Sequence, residues 1–242
     1  MKVYILLLIG FAFLDARTVS LPKNSPISVL SSIKTVDIEH PNEVAIFDPR
    51  WVDSLSLSLP CYGVPVPKRT MRLPNAPRNY RNGTHKGLDF FANWGTPVRS
   101  VADGIVVRSD LHYEEVPADF RENLLKATTR VGHTPSDIFN SVLLGKSVFL
   151  DHGFDLIPGF RTISIYAHLS HIEKEIVPGA IVKRGELLGK SGNTGMREST
   201  IGSKAGSHLH WEMILQKGEQ EIYLGKGMSN PELYDMLFRI FN

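Results

Sequence analysis

The chain has 242 residues, with 27 Lys+Arg against 25 Asp+Glu, nine His and one Cys, which suits one compact domain with appendages or two small ones. A net charge of +2 without any basic run gives no electrostatic footprint for phosphates, so nucleic acid is not an expected partner. The single cysteine, Cys61, rules out an intrachain disulfide and zinc sites built on paired cysteines, so any metal must sit on His, Asp or Glu.

In chain order, Met1 and Lys2 precede an apolar run from Val3 to Leu14, too short to span a bilayer comfortably and placed where the h-region of a secretory signal belongs. Residues 1–20 are therefore read as a signal peptide, cut after Ala16 or Ser20, with an uncleaved anchor as the alternative. No second apolar stretch of spanning length follows, so a secreted or periplasmic protein without an integral membrane span is expected. Export would put Cys61 in an oxidising compartment, where an unpaired thiol is best kept buried. Residues 21–79 are rich in Pro, Ser and Asn with short apolar bursts, Val44 to Phe47 and Leu55 to Leu59. They read as a loosely structured N-terminal extension.

From residue 80 the pattern changes to short strand-like runs: Gly87 to Phe91, Thr96 to Ser100, Gly104 to Val107, Ser147 to Leu150, Thr162 to Ala167, Ala180 to Val182, Glu186 to Leu188 and His208 to Leu215. Gly and Pro punctuate nearly all of them. Many brief strands and few helical periods predict a mainly β domain over 80–242, an antiparallel β-sandwich or barrel-like core. An insertion at 110–146 is predicted to be partly helical, over Asp119 to Thr128 and Thr134 to Leu144. A C-terminal helix is predicted from Pro231, with an apolar stripe of Leu233, Met236, Leu237, Ile240 and Phe241. A weak echo between Gly95-Thr-Pro-Val…Asp103-Gly-Ile-Val and Pro178-Gly-Ala-Ile-Val admits a biotinyl or lipoyl carrier domain bearing its group on Lys183. Lys183 lacks the flanking residues that a modifying ligase would read, and a carrier needs no histidine cluster.

Three pieces carry chemistry. His85-Lys-Gly-Leu-Asp89 would place its two side chains ~13 Å apart on a straight strand, too far to share a metal, so the chain must bend, and Gly87 is the permissive residue. His208-Leu-His210 puts both rings on one face of a strand ~7 Å apart at the backbone, able to enter one pocket, as two ligands or as a ligand and a reacting group. Tyr166-Ala-His168 ends an alternating strand whose other face holds Ile163, Ile165 and Ala167, so Tyr166 and His168 are expected to share a face. Converging, these pieces would supply two His and one Asp to zinc with a fourth position open, as a catalytic site requires.

These residues resemble the lysostaphin/LytM-type zinc endopeptidases, also called the beta-lytic metallopeptidase family. The similarity runs from about Tyr80 to Leu215, interrupted by the insertion. It is carried in order by Gly83-Thr-His-Lys-Gly-Leu-Asp-Phe, Gly95-Thr-Pro-Val…Asp103-Gly-Ile-Val-Val, Asp151-His-Gly153, Tyr166-Ala-His168-Leu, Val182-Lys-Arg-Gly-Glu-Leu-Leu-Gly, Gly192-Asn-Thr-Gly195 and His208-Leu-His-Trp-Glu212. The resemblance implies a duplicated hybrid-motif β fold and one zinc ion on His85, Asp89 and His210. It also implies His208 and His168 as catalytic residues, one the base and the other the stabiliser, in an order the sequence does not decide; on chemical grounds Tyr166 is the alternative to the second imidazole at the oxyanion. The implied activity is that of a secreted zinc metalloendopeptidase hydrolysing peptide cross-links or stem peptides of bacterial peptidoglycan. The alternative is a non-catalytic wall-binding or amidase-activating module of the same fold, although relatives of that kind typically lack some of these ligands. His152 is read as structural and Asn193 as a turn residue. The insertion and the long stretch from Ser199 to Gly206 bear on the shape of the groove.

Overall fold

A computed structural model of the chain describes residues 46–241. The signal segment 1–20, the first part of the extension and His40 lie outside the described residues.

Strands β1 (Pro77–Arg78) and β2 (Gly83–Thr84) form a small hairpin. Then follow β3 (Leu88–Phe90), β4 (Pro97–Arg99), β5 (Gly104–Ser109), β6 (Val148–Asp151), β7 (Arg161–Ala167), β8 (Leu169–Ile172), β9 (Ile181–Val182), β10 (Leu187–Ser191), β11 (Leu209–Lys217) and β12 (Gln220–Tyr223). They build a seven-stranded sheet in the order β12-β11-β7-β6-β5-β9, with β3 also pairing β11, and a three-stranded sheet, β4-β10-β8. Every strand pair among the described residues is antiparallel. The expected mainly β, antiparallel core is therefore present.

Alternation along β11 explains how the large sheet is used. Leu209, Trp211, Met213 and Leu215 are buried in the main core, while His210, Glu212 and Ile214 face the other way. That second face also carries Ile163, Ile165 and Ala167 of β7, Phe149 and Val107, and Leu144 of the insertion covers part of it. The insertion is helical as expected: α1 (Ala118–Val131), then α2 (Ser136–Ile138) running into a wide turn at Phe139–Leu143. A short α3 (Arg197–Thr200) precedes β11, and α4 (Glu232–Ile240) closes the described chain. The predicted stripe of α4 is the buried one: Leu233, Met236, Leu237, Ile240 and the following Phe241 all enter the core.

The extension departs from expectation. Its described part, from residue 46, has little regular structure beyond single turns at Pro49–Val52 and Thr70–Arg72, yet it is firmly packed. Phe47, Val52, Leu55, Leu57, Val66 and Leu73 are all buried in the main core. Prolines deny this segment a ladder without denying it burial, so a composition that reads as loose still wraps the sandwich. Cys61 is fully buried, and burial pushes its thiol up to about 12, out of reach of thiolate chemistry. Lys183 is ion-paired with Asp103 at 2.8 Å in a surface turn.

Candidate metal centre

The two ends of the site come from strands that pair directly. In the β3–β11 ladder Asp89 stands opposite His210, and antiparallel partners project to the same face. His85 reaches them from the turn before β3, so the bend demanded by the spacing is present. Gly87 contributes in another way than by a left-handed turn. A Cβ there would lie 2.3 Å from the Trp211 carbonyl oxygen and 2.7 Å from Cγ of Glu212, so glycine is what lets this segment lie flat on β11.

The donor atoms converge closely. His85 Nε2 is 3.0 Å from Asp89 Oδ1 and 3.1 Å from His210 Nδ1, and His210 Nδ1 is 2.9 Å from the same Oδ1. Tetrahedral ligands at zinc's usual distances stand about 3.3 Å apart, so this set matches to within a few tenths of an ångström. Each outer atom is already held. His85 Nδ1–H donates to the Leu73 carbonyl at 2.8 Å, His210 Nε2–H donates to the buried Glu212 carboxylate at 2.7 Å, and Arg78 Nη2 donates to Asp89 Oδ2 at 3.0 Å. A carbonyl and a carboxylate only accept, so His85 Nε2 and His210 Nδ1 face the common centre, each offering a lone pair there when its imidazole is neutral. Residues His85, Asp89 and His210 could thus hold a metal ion.

Charge is distributed accordingly. Burial disfavours the charged form of Asp89, but His85 and hydrogen bonds from His208 and His210 outweigh it and hold the carboxyl well below the usual range. Burial likewise opposes protonation of His210, yet Asp89 and Glu212 prevail and carry it up to about 9. His85, with burial dominant, is lowered.

Two more imidazoles border this cluster. The His168 ring centroid lies 4.9 Å from that of His208 and 5.6 Å from that of His210, and His208 Nε2 is 3.5 Å from Asp89 Oδ1. His168 Nδ1–H donates to the Thr194 carbonyl at 2.8 Å and His208 Nδ1–H to the Gly206 carbonyl at 2.7 Å. His168 Nε2 is left as the free lone pair, whereas His208 Nε2 faces the Asp89 carboxylate. Burial, reinforced by His208 and His210, keeps His168 well below the ordinary imidazole value, hence neutral. The turn that holds it is held in its own place by the insertion: Leu144 O accepts from His168 N, Arg121 Nε donates to Gly195 O, and the Glu115 carboxylate accepts from Gly195 N.

Tyr166 is not brought to the site. It stands opposite Trp211 in the β7–β11 ladder while Ala167 stands opposite His210, so Tyr166 faces the main core, fully buried, its hydroxyl accepting from Val101 N at 2.9 Å. The expected shared face of Tyr166 and His168 fails because His168 has φ 60°, a left-handed residue that breaks the alternation as the chain leaves the large sheet for β8. His152 sits apart, its Nδ1–H donating to Asp103 O and its Nε2 accepting from Ser164 Oγ at 2.7 Å. Asn193 is buried and pins the 199–206 stretch through Nδ2 bonds to Ser203 O and Ala205 O. Sequence reasoning missed Arg78 and Glu212. Glu212 had a signal, being an acid two residues beyond His210 in an apolar strand; Arg78 arrives from a separate hairpin and had none.

Beyond Glu212 the same sheet face floors a cavity of about 900 Å³ between the β1–β2 hairpin and the insertion, with Phe149, Ile163, Ile165 and Ile214 beneath and Lys86 and Lys226 among its walls. The insertion is fastened to the hairpin by Thr134 Oγ1 on Arg81 O and by the Arg81 guanidinium 4.6 Å from the Phe139 ring centroid.

Residues 129–222 match the sequence profile of "Peptidase family M23". His85 and Asp89 precede that span; the pairing of Asp89 with β11 and the approach of the His85 ring to His210 join them to it. An "Uncharacterized metalloprotease" of Haemophilus influenzae is 31% identical over 128 residues, 53% of this chain and 18% of that protein. The "L-Ala--D-Glu endopeptidase" of Bacillus subtilis is 26% identical over 141 residues, 57% of this chain and 31% of that protein. The chain thus spans less than a third of the length of these curated relatives. Among solved structures, the catalytic domain of lysostaphin from Staphylococcus simulans is similar with a TM-score of 0.36 and 21% identity, over 69% of this chain and 86% of that one. Residues 129–222 are thus similar to peptidase family M23, in line with the LytM-type motifs of the sequence.

Proposed function

We propose that this chain is a zinc metalloendopeptidase of the cell envelope that hydrolyses peptide bonds in bacterial peptidoglycan. The observation that carries the reading is the convergence of His85 Nε2, Asp89 Oδ1 and His210 Nδ1, with all three outer atoms already bonded and the imidazoles of His168 and His208 alongside. The match of residues 129–222 to peptidase family M23 and a relative named as an L-Ala–D-Glu endopeptidase support the substrate class, and the apolar run at 3–14 supports export.

A zinc ion held by His85, Asp89 and His210 supplies Lewis acidity toward water and toward the peptide carbonyl. The rest is done by the chain's own groups. His208 Nε2 is the base: its side chain is 13% exposed, open to an incoming water, and its Nδ1–H is held by the Gly206 carbonyl. It takes the proton from the attacking water and returns it to the departing amine nitrogen. His168, kept neutral by burial, accepts a hydrogen bond at Nε2 and so orients that water. Glu212 and Arg78 hold the ligand atoms in place, and the apolar sheet face beyond Glu212 shields the peptide from solvent.

The test is to load the purified protein with zinc, digest purified sacculi and map the released muropeptides by mass spectrometry. New peptide termini that vanish in His208→Ala, with zinc still bound, support the proposal. Absence of any released muropeptide from the zinc-loaded protein, or a biological effect intact in both His208→Ala and His168→Ala, refutes it in favour of a non-catalytic wall-binding module.

A further inference from the structure

At the other end of the site from Glu212, just before His208, the chain lines a second cavity of about 300 Å³ with Arg72, Phe91, Asn93, Trp94, Lys204 and Ser207 among its walls. It abuts the metal centre on two sides: Arg72 Nη1 donates to the backbone carbonyl of Asp89 at 3.3 Å, and Gly206, also in the lining, carries the carbonyl that holds His208.

The lining has one sign of charge. Two cations contribute to it and no Asp or Glu does, and neither Arg72 nor Lys204 makes an ion pair among the described residues. Each cation instead rests on an exposed aromatic ring. Arg72 Cζ lies 4.7 Å from the Phe91 centroid and Lys204 Nζ lies 5.1 Å from the Trp94 centroid. Phe91 is 67% and Trp94 39% exposed, although both flank strands whose other large apolar residues are buried. Aromatic walls, side-chain donors and unneutralised cations in one hollow suit a group that is part aliphatic and part anionic.

We propose that this cavity is a substrate subsite that binds a carboxylate-bearing residue of the peptide beside the scissile bond. Arg72 and Lys204 take the carboxylate, and Phe91 and Trp94 take the aliphatic part of the same residue. The inference rests on the endopeptidase reading and goes beyond it by naming an acidic stem peptide over its amidated form.

The probes are a peptidoglycan stem peptide with free carboxylates and the same peptide with those carboxylates amidated, titrated by calorimetry into the full chain kept metal-free so that nothing turns over. The free acid is expected to bind about tenfold more tightly than the amide, and that ratio to fall toward one in Lys204→Ala and in Arg72→Gln. Lys204 is exposed, so its truncation leaves the fold intact. With zinc restored, the same preference is expected in KM rather than kcat. Equal binding of the two peptides, binding of neither, a ratio unchanged in both variants, or binding only when the disaccharide is attached overturns the subsite. Preferential binding of the acid without hydrolysis by the zinc-loaded protein supports the subsite and refutes the endopeptidase; hydrolysis indifferent to amidation does the reverse.

Discussion

Glu212 offers the sharpest test of how the ligands are held. Its carboxylate is 1% exposed and accepts from His210 Nε2 at 2.7 Å, and Asp89 and Glu212 together raise His210 to about 9. Glu212→Gln keeps the volume and an acceptor oxygen but removes the charge. A charge-assisted bond is worth about 1–1.5 kcal/mol more than a neutral one, so intrinsic zinc affinity should fall about tenfold. Glu212→Ala, which leaves the Nε2–H without a partner, should cost roughly ten- to a hundredfold. The sign with pH is specific. Zinc displaces the extra proton of His210, so wild-type affinity should climb as pH rises and level off only near about 9. In Glu212→Gln that proton is held less tightly, so the plateau arrives at lower pH, and the deficit is widest on the plateau and narrows toward neutrality. Competition with a chelator of known affinity across this range measures both. Parallel pH profiles for wild type and Glu212→Gln, or equal affinities above about pH 9, would refute the reasoning.

Four further expectations concern the rest of the site and fold. Asp89→Ala should lose zinc while circular dichroism still reports the sheet, whereas His208→Ala should keep zinc and lose hydrolysis; full zinc binding and activity in both would sink the assignment. Tyr166→Phe leaves the buried Val101 N–H without its acceptor, costing about 1–3 kcal/mol in denaturant unfolding, with kcat unchanged in the folded fraction; a large drop in kcat at normal stability would put Tyr166 back among the reacting groups. Gly87→Ala drives a Cβ into the Trp211 carbonyl, so it should destabilise by about 1–3 kcal/mol and weaken zinc binding together, which calorimetry and chelator competition can check. Burial lowers His152 below its ordinary 6.5, so the unfolded chain takes up a proton that the native one refuses. The stability due to neutral His152 is therefore complete above about 6.5 and lost as pH falls toward the lowered value, and the melting-temperature gap between wild type and His152→Gln should narrow on acidification. A gap independent of pH would contradict this.

Local features of the sequence carry much of this architecture. The H-x-H and H-x-x-x-D spacings encode local geometry, and the strand runs and C-terminal stripe encode periodicity, so the β core, α4 and the convergent histidines follow from them. The exception lies at a conformational switch. Alternation predicts a shared face for Tyr166 and His168 only while the strand stays extended, and a left-handed residue at His168 is invisible to a period-two argument because its side chain gives no glycine-like signal. Gly87 reads as a bend although its role is close approach, since a sequence shows a missing side chain but not what fills the space. The packing of 46–79 and the reach of Arg78 to Asp89 depend on contacts between separate segments, which composition cannot express.

The direct opposition of Asp89 and His210 in the β3–β11 ladder makes the centre a register gauge. A slip of one residue would bring Leu88 or Phe90 to the position of Asp89 and leave no carboxylate for the metal. The two residues lie 121 apart in the chain, so the donor set cannot exist until nearly all of the domain has been made and its last long strand laid down. Metal capture would thus be a late step in maturation that discriminates correctly threaded molecules from misthreaded ones, and once made it would close a loop of that length and oppose its reopening.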